Sequence, residues 1–118
     1  MKDGSGRTVQ EGAAAARVLE TEGICMVEIS TGLPGEASVP LGISKPEQEA
    51  IFLPEAQVVR KATTGPICLV GGMRSLPVIE EVVKSGVADY ISLSRPLIRE
   101  PDLIKRWKAG DTRPAECV

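Results

Sequence analysis

Four residues of this sequence have the chemistry to bind a phosphate group together. They are Gly71, Gly72, Ser94 and Arg95. Glycines let backbone N–H groups approach a phosphate closely, a guanidinium offers forked donors, and a following helix N-terminus adds positive potential. The residues alone therefore predict a phosphate site. The structural alternatives are a tight strand-to-helix turn for the glycines and a surface ion pair with Glu100 for the arginine.

The residues around these candidates predict a β-α-β unit that positions them. Ile67–Val70 and Tyr90–Leu93 are apolar runs, as expected for strands buried on both faces of a parallel sheet. Between them, Ser75 is suited to cap a helix with Pro77 in its first turn and Gly86 at its end. Ligands of such units gather beyond the carboxyl ends of the strands, so both candidate pairs are expected there.

The preceding residues predict another helix and strand. Thr8 and Glu11 have the spacing of a capping box, and the helix that starts there should end at Gly23. Its apolar stripe is predicted to consist of Val9, Ala13, Ala16 and Leu19. The next strand is predicted over Ile24–Ile29. Its one charge, Glu28, is interpreted either as an edge carboxylate near water or as a ligand contact.

The middle and end of the chain predict a long loop and more helices. Leu33–Ile43 has no period, and loops of that length on the carboxyl side of a strand are often functional. Ser44–Glu47 resembles a second capping box, which predicts a helix through Phe52. A kink or restart is expected at Pro54, followed by an inner face formed by Ala56, Val59 and Ala62. The last helix should follow Glu100-Pro101-Asp102 and end at Gly110.

The alternation α-β-α-β-α-β-α predicts an α/β fold with three parallel strands. Three strands neither close an eight-stranded barrel nor cover both faces of a sheet. We therefore expect residues 1–118 to form a single partial-barrel domain, with a loop at 1–7, βα units at 8–110 and a polar tail at 111–118. Such a domain should form homo-oligomers or pair with a complementing barrel chain, because its sheet edges are open.

Composition argues against several classes of function. The net charge is −2 and only three aromatic residues occur, so neither a basic stripe nor a base-stacking platform for nucleic acids is expected. The absence of histidine excludes His-based triads and His metal sites within this chain. No apolar run approaches the roughly 18 residues of a membrane span, and the start, MKDGSGRT, does not resemble a signal peptide.

The three cysteines predict a reducing environment. Cys25, Cys68 and Cys117 are odd in number, and the first two lie in predicted buried strands, where cysteine behaves as a small apolar residue. A cytoplasmic protein is therefore expected. Tyr90 is also predicted to belong to the core. Ser30 and Arg74 lie at predicted strand ends and are interpreted as solvated loop residues.

Residues 66–111 resemble the carboxyl-terminal part of the Old Yellow Enzyme family, the NADH:flavin oxidoreductases. The family pattern has a glycine after strand seven, an aspartate before strand eight, a Gly-Arg or Ser-Arg turn and an acidic-Pro step. Here these positions are occupied by Gly71-Gly72, Asp89, Ser94-Arg95-Pro96 and Glu100-Pro101-Asp102. Residues 6–32 are similar to helix five and strand six of the family. The resemblance implies the last three parallel strands of a (β/α)8 TIM barrel that binds FMN.

The resemblance also implies roles for the four candidates. Gly71, Gly72 and the amides of Ser94 and Arg95 would bind the FMN phosphate, and the Arg95 side chain would neutralise it. Ser94 departs from the commoner glycine and would be strained if that position required a positive φ. Nothing resembles the family's flavin-ring contacts, substrate-binding polar pair or proton-donating tyrosine, so no catalytic residue is assigned.

No metal site is predicted either. Some members carry an iron–sulfur cluster, and Cys117 is placed to match its first cysteine, but one thiolate cannot hold a cluster. The implied function is that of a segment of an FMN-dependent NAD(P)H oxidoreductase of ene-reductase or NADH oxidase type, incomplete as a catalyst alone. The alternative is a non-catalytic half-barrel that binds a phosphate-bearing small molecule or oligomerises. A third interpretation, a sugar-phosphate barrel segment, has no visible catalytic lysine or carboxylate pair.

Overall fold

Three short parallel strands form one sheet in a computed structural model that describes residues 8–30 and 42–116. The sheet has the order β1-β2-β3 and consists of β1 (Val27–Ile29), β2 (Ile67–Leu69) and β3 (Tyr90–Ile91). Val27 aligns with Ile67, and Cys68 aligns with Tyr90. The predicted parallel α/β arrangement is confirmed. The loop predicted over Leu33–Ile43 lies mostly outside the described residues.

Five α-helices accompany the strands within the described ranges. They are α1 (Val9–Thr21), α2 (Leu53–Ala62), α3 (Leu76–Lys84), α4 (Arg95–Arg99) and α5 (Leu103–Lys108). The short α4 was not predicted as a helix, because its residues were interpreted as a turn. Gly23, Gly86 and Gly110 follow α1, α3 and α5 with positive φ, as predicted for glycines that end helices. None of the helices that the structure describes is long and apolar enough to cross a membrane.

Helix α1 begins at the predicted capping box. The Thr8 amide donates to the Glu11 carboxylate at 2.7 Å, and the Glu11 amide donates to the Thr8 hydroxyl at 3.2 Å. Ala13 and Ala16 are buried, and their small side chains allow α1 to pack closely on α2. The predicted stripe is wrong at Leu19, which is 46% exposed. The buried face is therefore narrower than the apolar pattern indicated.

The helix predicted from the second capping box is wrong. Only a 3-10 turn forms, at Pro46–Gln48, and the Gln48 side chain accepts hydrogen bonds from the amides of Ser44 and Lys45 at 3.1 Å each. The chain then turns, and α2 starts at Leu53 with Pro54 in its first turn. Proline fits there because the first turn needs no intrahelical N–H donor. The predicted restart is therefore confirmed.

The main core lies between the sheet and helices α1, α2 and α3. Ile67 and Leu69 of the central strand are fully buried within it. Ala56 and Val59 of α2 join this core, and Ala62 packs at its margin. Fully burying such aliphatic side chains stabilises the fold by about 1.5–3 kcal/mol each. The central strand is therefore the rigid element from which the following glycine turn extends.

A second, smaller core joins α5 to the chain after it. Leu103, Trp107 and Ala115 form this cluster, and the Ala115 amide donates to the Arg74 carbonyl at 2.8 Å. Residues predicted as a polar tail thus pack against the domain as far as residue 116. The division into 1–7, 8–110 and 111–118 stays a prediction, because 1–7 and 117–118 lie outside the described residues.

Glu100 ties this end of the chain together. The Arg106 guanidinium lies 3.0 Å from the Glu100 carboxylate, and the Glu116 amide donates to the same group at 2.9 Å. The pKa of Glu100 is lowered, chiefly by the hydrogen bond from the Glu116 amide and further by Arg106. Glu100 therefore anchors the residues after α5 and pairs with Arg106, not with Arg95.

Two burial predictions at or beside the outer strands are wrong. Tyr90 is 58% exposed, and Cys25 is exposed because β1 begins only at Val27. β1 and β3 are the outer strands of the described sheet, so their side chains have neighbours on one side only. The buried position of Cys68 on the central strand is confirmed. Cys117 lies outside the described residues.

Two carboxylates fasten the sheet at the ends opposite the glycine turn. Asp89 accepts hydrogen bonds from the Ile67 amide at 2.9 Å and from the Arg60 guanidinium at 2.5 Å, and these partners lower its pKa in that order. Glu20 accepts from the Thr64 hydroxyl and from the Gly65 amide, which together lower its pKa. Both carboxylates stay ionised at neutral pH. Their hydrogen bonds stabilise the end of the sheet that lies opposite the glycine turn.

Candidate anion-binding site

All four predicted phosphate-binding residues line one open cavity of about 260 Å³. The cavity lies beyond the carboxyl ends of β2 and β3, and Gly71, Gly72, Ser94 and Arg95 face it from the two connections. The parallel strands thus bring together two pairs of residues that are more than twenty positions apart in the sequence. Ile43 and Arg74 also line the cavity, whereas Ser30 does not.

The double glycine is required by the backbone and by its neighbours. Gly71 has φ +123° and Gly72 has φ +71°, a region that side chains disfavour. A Cβ atom on Gly71 would lie 2.6 Å from the Phe52 ring, and one on Gly72 would overlap the Ile43 side chain. The tight turn named as the structural alternative is therefore present, and glycine is needed there whether or not a ligand binds.

The two connections that line the cavity contain backbone amides without a described acceptor. No described acceptor takes a hydrogen bond from the amides of Gly71, Gly72, Met73, Ser94 or Arg95. Buried backbone N–H groups in proteins nearly always have a partner, and Gly71 and Met73 are buried. These donors are therefore available to an acceptor in the cavity.

Ser94 does not have the positive φ at which a serine would be strained. Its φ is −110° and its ψ is −82°, so the expected penalty for a serine at positive φ does not arise. The Ser94 carbonyl accepts from the Leu97 and Ile98 amides at 3.0 and 3.1 Å and starts α4. A serine in place of glycine at residue 94 is therefore compatible with a backbone N–H group of Ser94 that is exposed at the cavity.

Two arginine side chains border the cavity. Arg95 forms no ion pair or hydrogen bond with the described residues, and the alternative partner Glu100 is taken by Arg106. Arg74 donates from Nη1 to the Ile43 carbonyl at 2.7 Å, while its buried Nε has no acceptor in the described part of the chain. The prediction that Arg74 is a solvated loop residue is wrong.

A buried glutamate holds the glycine turn in place. Glu49 is only 8% exposed, and its carboxylate accepts from the Arg74 amide at 2.8 Å, the Ser75 amide at 2.9 Å and the Ser75 hydroxyl at 2.5 Å. Ser75 is the N-cap of α3 as predicted, but its side chain donates to Glu49 and caps no helix amide. Glu49 accepts from the two amides just before the helix. Sequence reasoning missed it because the contact joins residues 25 and 26 positions apart.

Polar side chains also cross the sheet on one face. The Ser92 hydroxyl donates to the Glu28 carboxylate at 2.5 Å and lies 3.2 Å from the Cys68 thiol. Glu28 is exposed on the outer strand β1, which agrees with its interpretation as an edge carboxylate near water. Residues 8–30 and 42–116 contain no group of three side chains that could bind a metal ion.

Comparison with known proteins identifies relatives, although no family model matches the chain. An NADH oxidase of Thermoanaerobacter brockii is 30% identical over 106 residues, which cover 89% of this chain and 16% of that protein. An NADH-dependent flavin oxidoreductase of Talaromyces variabilis is 35% identical over 113 residues, covering 83% of this chain and 27% of that protein.

A solved structure shows the same arrangement. A variant of NCR from Zymomonas mobilis matches with a TM-score of 0.59 and 26% identity, over 91% of this chain and 32% of that one. The predicted fold class, three parallel strands of a partial barrel, is confirmed by this match. The chain spans less than a third of the length of each of these three proteins.

Proposed function

We propose that this chain, which belongs to the Old Yellow Enzyme family of NADH:flavin oxidoreductases, binds the phosphate of FMN in the cavity beyond β2 and β3. Relatives named as an NADH oxidase and a flavin oxidoreductase support a flavin as the cofactor class. The observation that carries the proposal is the convergence of unpaired backbone amides with the Arg95 guanidinium on one cavity.

The residues of the cavity fit a phosphate group. A phosphate monoester carries about two negative charges at neutral pH and several strong acceptor oxygens. The amides after β2 and β3 supply donors from two sides, and Arg95 supplies a charge and a forked pair of N–H groups. None of the described residues that line the cavity is a carboxylate, although the Glu28 carboxylate accepts a hydrogen bond from Ser92, which lines it.

The chain's own part in the proposed reaction is to position the cofactor. A bound flavin would supply hydride-transfer chemistry between NAD(P)H and an acceptor. Gly71, Gly72, Ser94 and Arg95 would hold the phosphate end of the cofactor. No residue of the described ranges is assigned to proton transfer or to the ring. We propose that catalysis requires residues beyond those assigned here.

Comparing FMN with riboflavin tests the phosphate assignment directly. The two ligands share the flavin ring and the ribityl chain and differ in the phosphate alone. We expect the full chain to bind FMN at least tenfold more tightly than riboflavin, because charge-assisted hydrogen bonds contribute about 1.5–3 kcal/mol. Flavin fluorescence titration measures both affinities. Equal affinities, or no binding of FMN, would contradict the proposal.

The second candidate function is a non-catalytic module that associates with another copy of itself. The observation that favours it is the exposure of the outer strands: Tyr90 on β3 and Met26 beside β1 are each about half exposed. Outer strands present unpaired N–H and C=O groups that readily pair with another strand. Association through these edges would bury the apolar side chains that the described sheet leaves in water.

Light scattering of the purified chain tests this association. We expect a mass of at least twice the monomer mass of 12.5 kDa, with dissociation on dilution. A colourless oligomer that binds no flavin would favour the non-catalytic module. A monomer over the whole concentration range would contradict self-association, and recovery of the oligomer only with a second polypeptide would identify a complementing chain instead.

A further inference from the structure

We propose that Arg74 is a second phosphate-binding residue of the cavity and that the guanidinium groups of Arg74 and Arg95 together select a dianionic phosphate monoester. This inference rests on the proposed function, since it concerns the same cavity. It assigns a specificity role to a residue that the sequence pattern placed in a solvated loop.

The backbone and one side-chain nitrogen hold Arg74 in place. Its amide donates to Glu49 at 2.8 Å, and its carbonyl accepts from the Ala115 amide at 2.8 Å. Its Nη1 atom donates to the Ile43 carbonyl at 2.7 Å. These three hydrogen bonds join Arg74 to two distant segments, the one before α2 and the one after α5. The side chain is therefore pre-organised at the cavity wall, and an anion would not have to order it.

A second nitrogen of the same guanidinium is open to a ligand. Arg74 Nε is buried and donates to no described acceptor, so it is out of reach of an atom in the cavity. Nη2 also donates to no described residue, but it is not buried. Arg74 lines the cavity, so an oxygen atom of a bound anion is an acceptor for Nη2.

The charge around the two arginines matches a dianion. Neither Arg74 nor Arg95 forms an ion pair with a described carboxylate, and Glu49 is engaged by two amides and a hydroxyl of the turn. Two unpaired positive charges balance the roughly two negative charges of a phosphate monoester. A phosphodiester carries one negative charge and riboflavin carries none, so the pair favours FMN over both.

Replacing Arg74 by glutamine tests the assignment in the full chain. Glutamine removes the charge and both Nη donors, including the one that bonds the Ile43 carbonyl, and its amide nitrogen replaces only the Nε position. We expect Arg74→Gln to lower the affinity for FMN about tenfold and to leave the affinity for riboflavin unchanged. Arg74→Lys keeps the charge without the fork and should restore part of the loss.

Arg99→Gln is the matched control. Arg99 lies on α4, is exposed, does not line the cavity and pairs with Glu116 at 3.3 Å, so its replacement removes one positive charge outside the site. We expect Arg99→Gln to leave both affinities unchanged. The ratio of the FMN and riboflavin affinities separates binding from folding, since a merely structural role of Arg74 would change both affinities together.

The possible outcomes separate this inference from the proposed function. If Arg74→Gln and Arg74→Lys keep the wild-type affinity ratio while Arg95→Ala lowers it, Arg74 is not a ligand and the proposed function stands. If Arg74→Gln weakens both ligands equally, the role of Arg74 is structural and the inference fails. If the wild-type chain does not distinguish FMN from riboflavin, both fail together. Should Arg74→Gln not fold, Arg74→Lys decides through the same ratio.

Discussion

Replacing Arg95 by alanine should lower the affinity of the chain for FMN at least tenfold and leave the affinity for riboflavin unchanged. The Arg95 side chain lines the cavity and forms no hydrogen bond or ion pair with the described residues, so its removal breaks no internal contact of that kind. A charge-assisted hydrogen bond to phosphate contributes about 1.5–3 kcal/mol, and about 1.4 kcal/mol corresponds to a factor of ten. Titration of both ligands with each protein measures the effect.

Stability measurements show whether the change is confined to binding. Alanine favours helix, and Arg95 is the first residue of α4, so the free energy of unfolding should change by less than about 0.5 kcal/mol. Arg99→Ala, in the same helix and outside the cavity, is the control for the loss of one charge. An Arg95→Ala protein that binds FMN as tightly as the wild type would refute the assignment of the phosphate site.

The parts of the fold that depend on neighbouring residues were predictable from the sequence. The capping box at Thr8 and the helix ends at Gly23, Gly86 and Gly110 are local, and the structure contains each of them. The β-α-β unit was also predictable, because apolar runs separated by a helical segment favour parallel strands. Parallel strands then place the residues that follow them side by side, which is why the four candidate residues share one cavity.

The parts that depend on distant contacts were not predictable. The chain before α2 carries a good helix-start pattern, yet Ile51 and Phe52 pack over the double glycine, and the Ile51 amide donates to the Gly71 carbonyl at 3.3 Å. This tertiary contact overrides the local pattern, as it often does for short helices. Arg74 and Glu49 were missed for the same reason, since their partners lie more than twenty residues away.

The burial predictions for helix α1 and for the outer strands failed for a different reason. Apolar periodicity shows which side chains favour an interior, but it does not show whether a neighbour exists to cover them. Leu19 and Tyr90 have such apolar character, and each is about half exposed in the described structure. Sequence patterns therefore located the central strand well and the edges of the sheet poorly.

The glycine turn illustrates how a site and its scaffold share residues. Phe52 and Ile43 pack against Gly71 and Gly72 on the side where a Cβ would lie, and the amides of the two glycines have no acceptor among the described residues. The segment that packs on the turn also carries Glu49, whose carboxylate accepts from the next two amides, Arg74 and Ser75. The two amides that follow the turn are therefore bonded within the chain, whereas the two glycine amides have no described acceptor.

Glu49→Ala should destabilise the protein by about 3–5 kcal/mol, because it leaves three donors without an acceptor in a mostly buried place. The donors are the amides of Arg74 and Ser75 and the Ser75 hydroxyl, and Ser75 is itself buried. Each unsatisfied buried donor costs about 1–3 kcal/mol, and a domain of this size has only about 5–15 kcal/mol of stability. Urea unfolding followed by circular dichroism measures the loss.

The neighbouring glutamate provides the matched control. Glu47 lies in the 3-10 turn that directly precedes Glu49, but it is exposed. Glu47→Ala should therefore change the free energy of unfolding by no more than about 0.5 kcal/mol. Glu49→Gln keeps one acceptor oxygen and turns an amide N–H toward the donors, which predicts an intermediate loss. Equal unfolding midpoints for Glu49→Ala and Glu47→Ala would show that Glu49 does not stabilise the glycine turn. If Glu49→Ala folds, it should also bind FMN more weakly than Glu47→Ala, because the turn that presents the amides is then loosened.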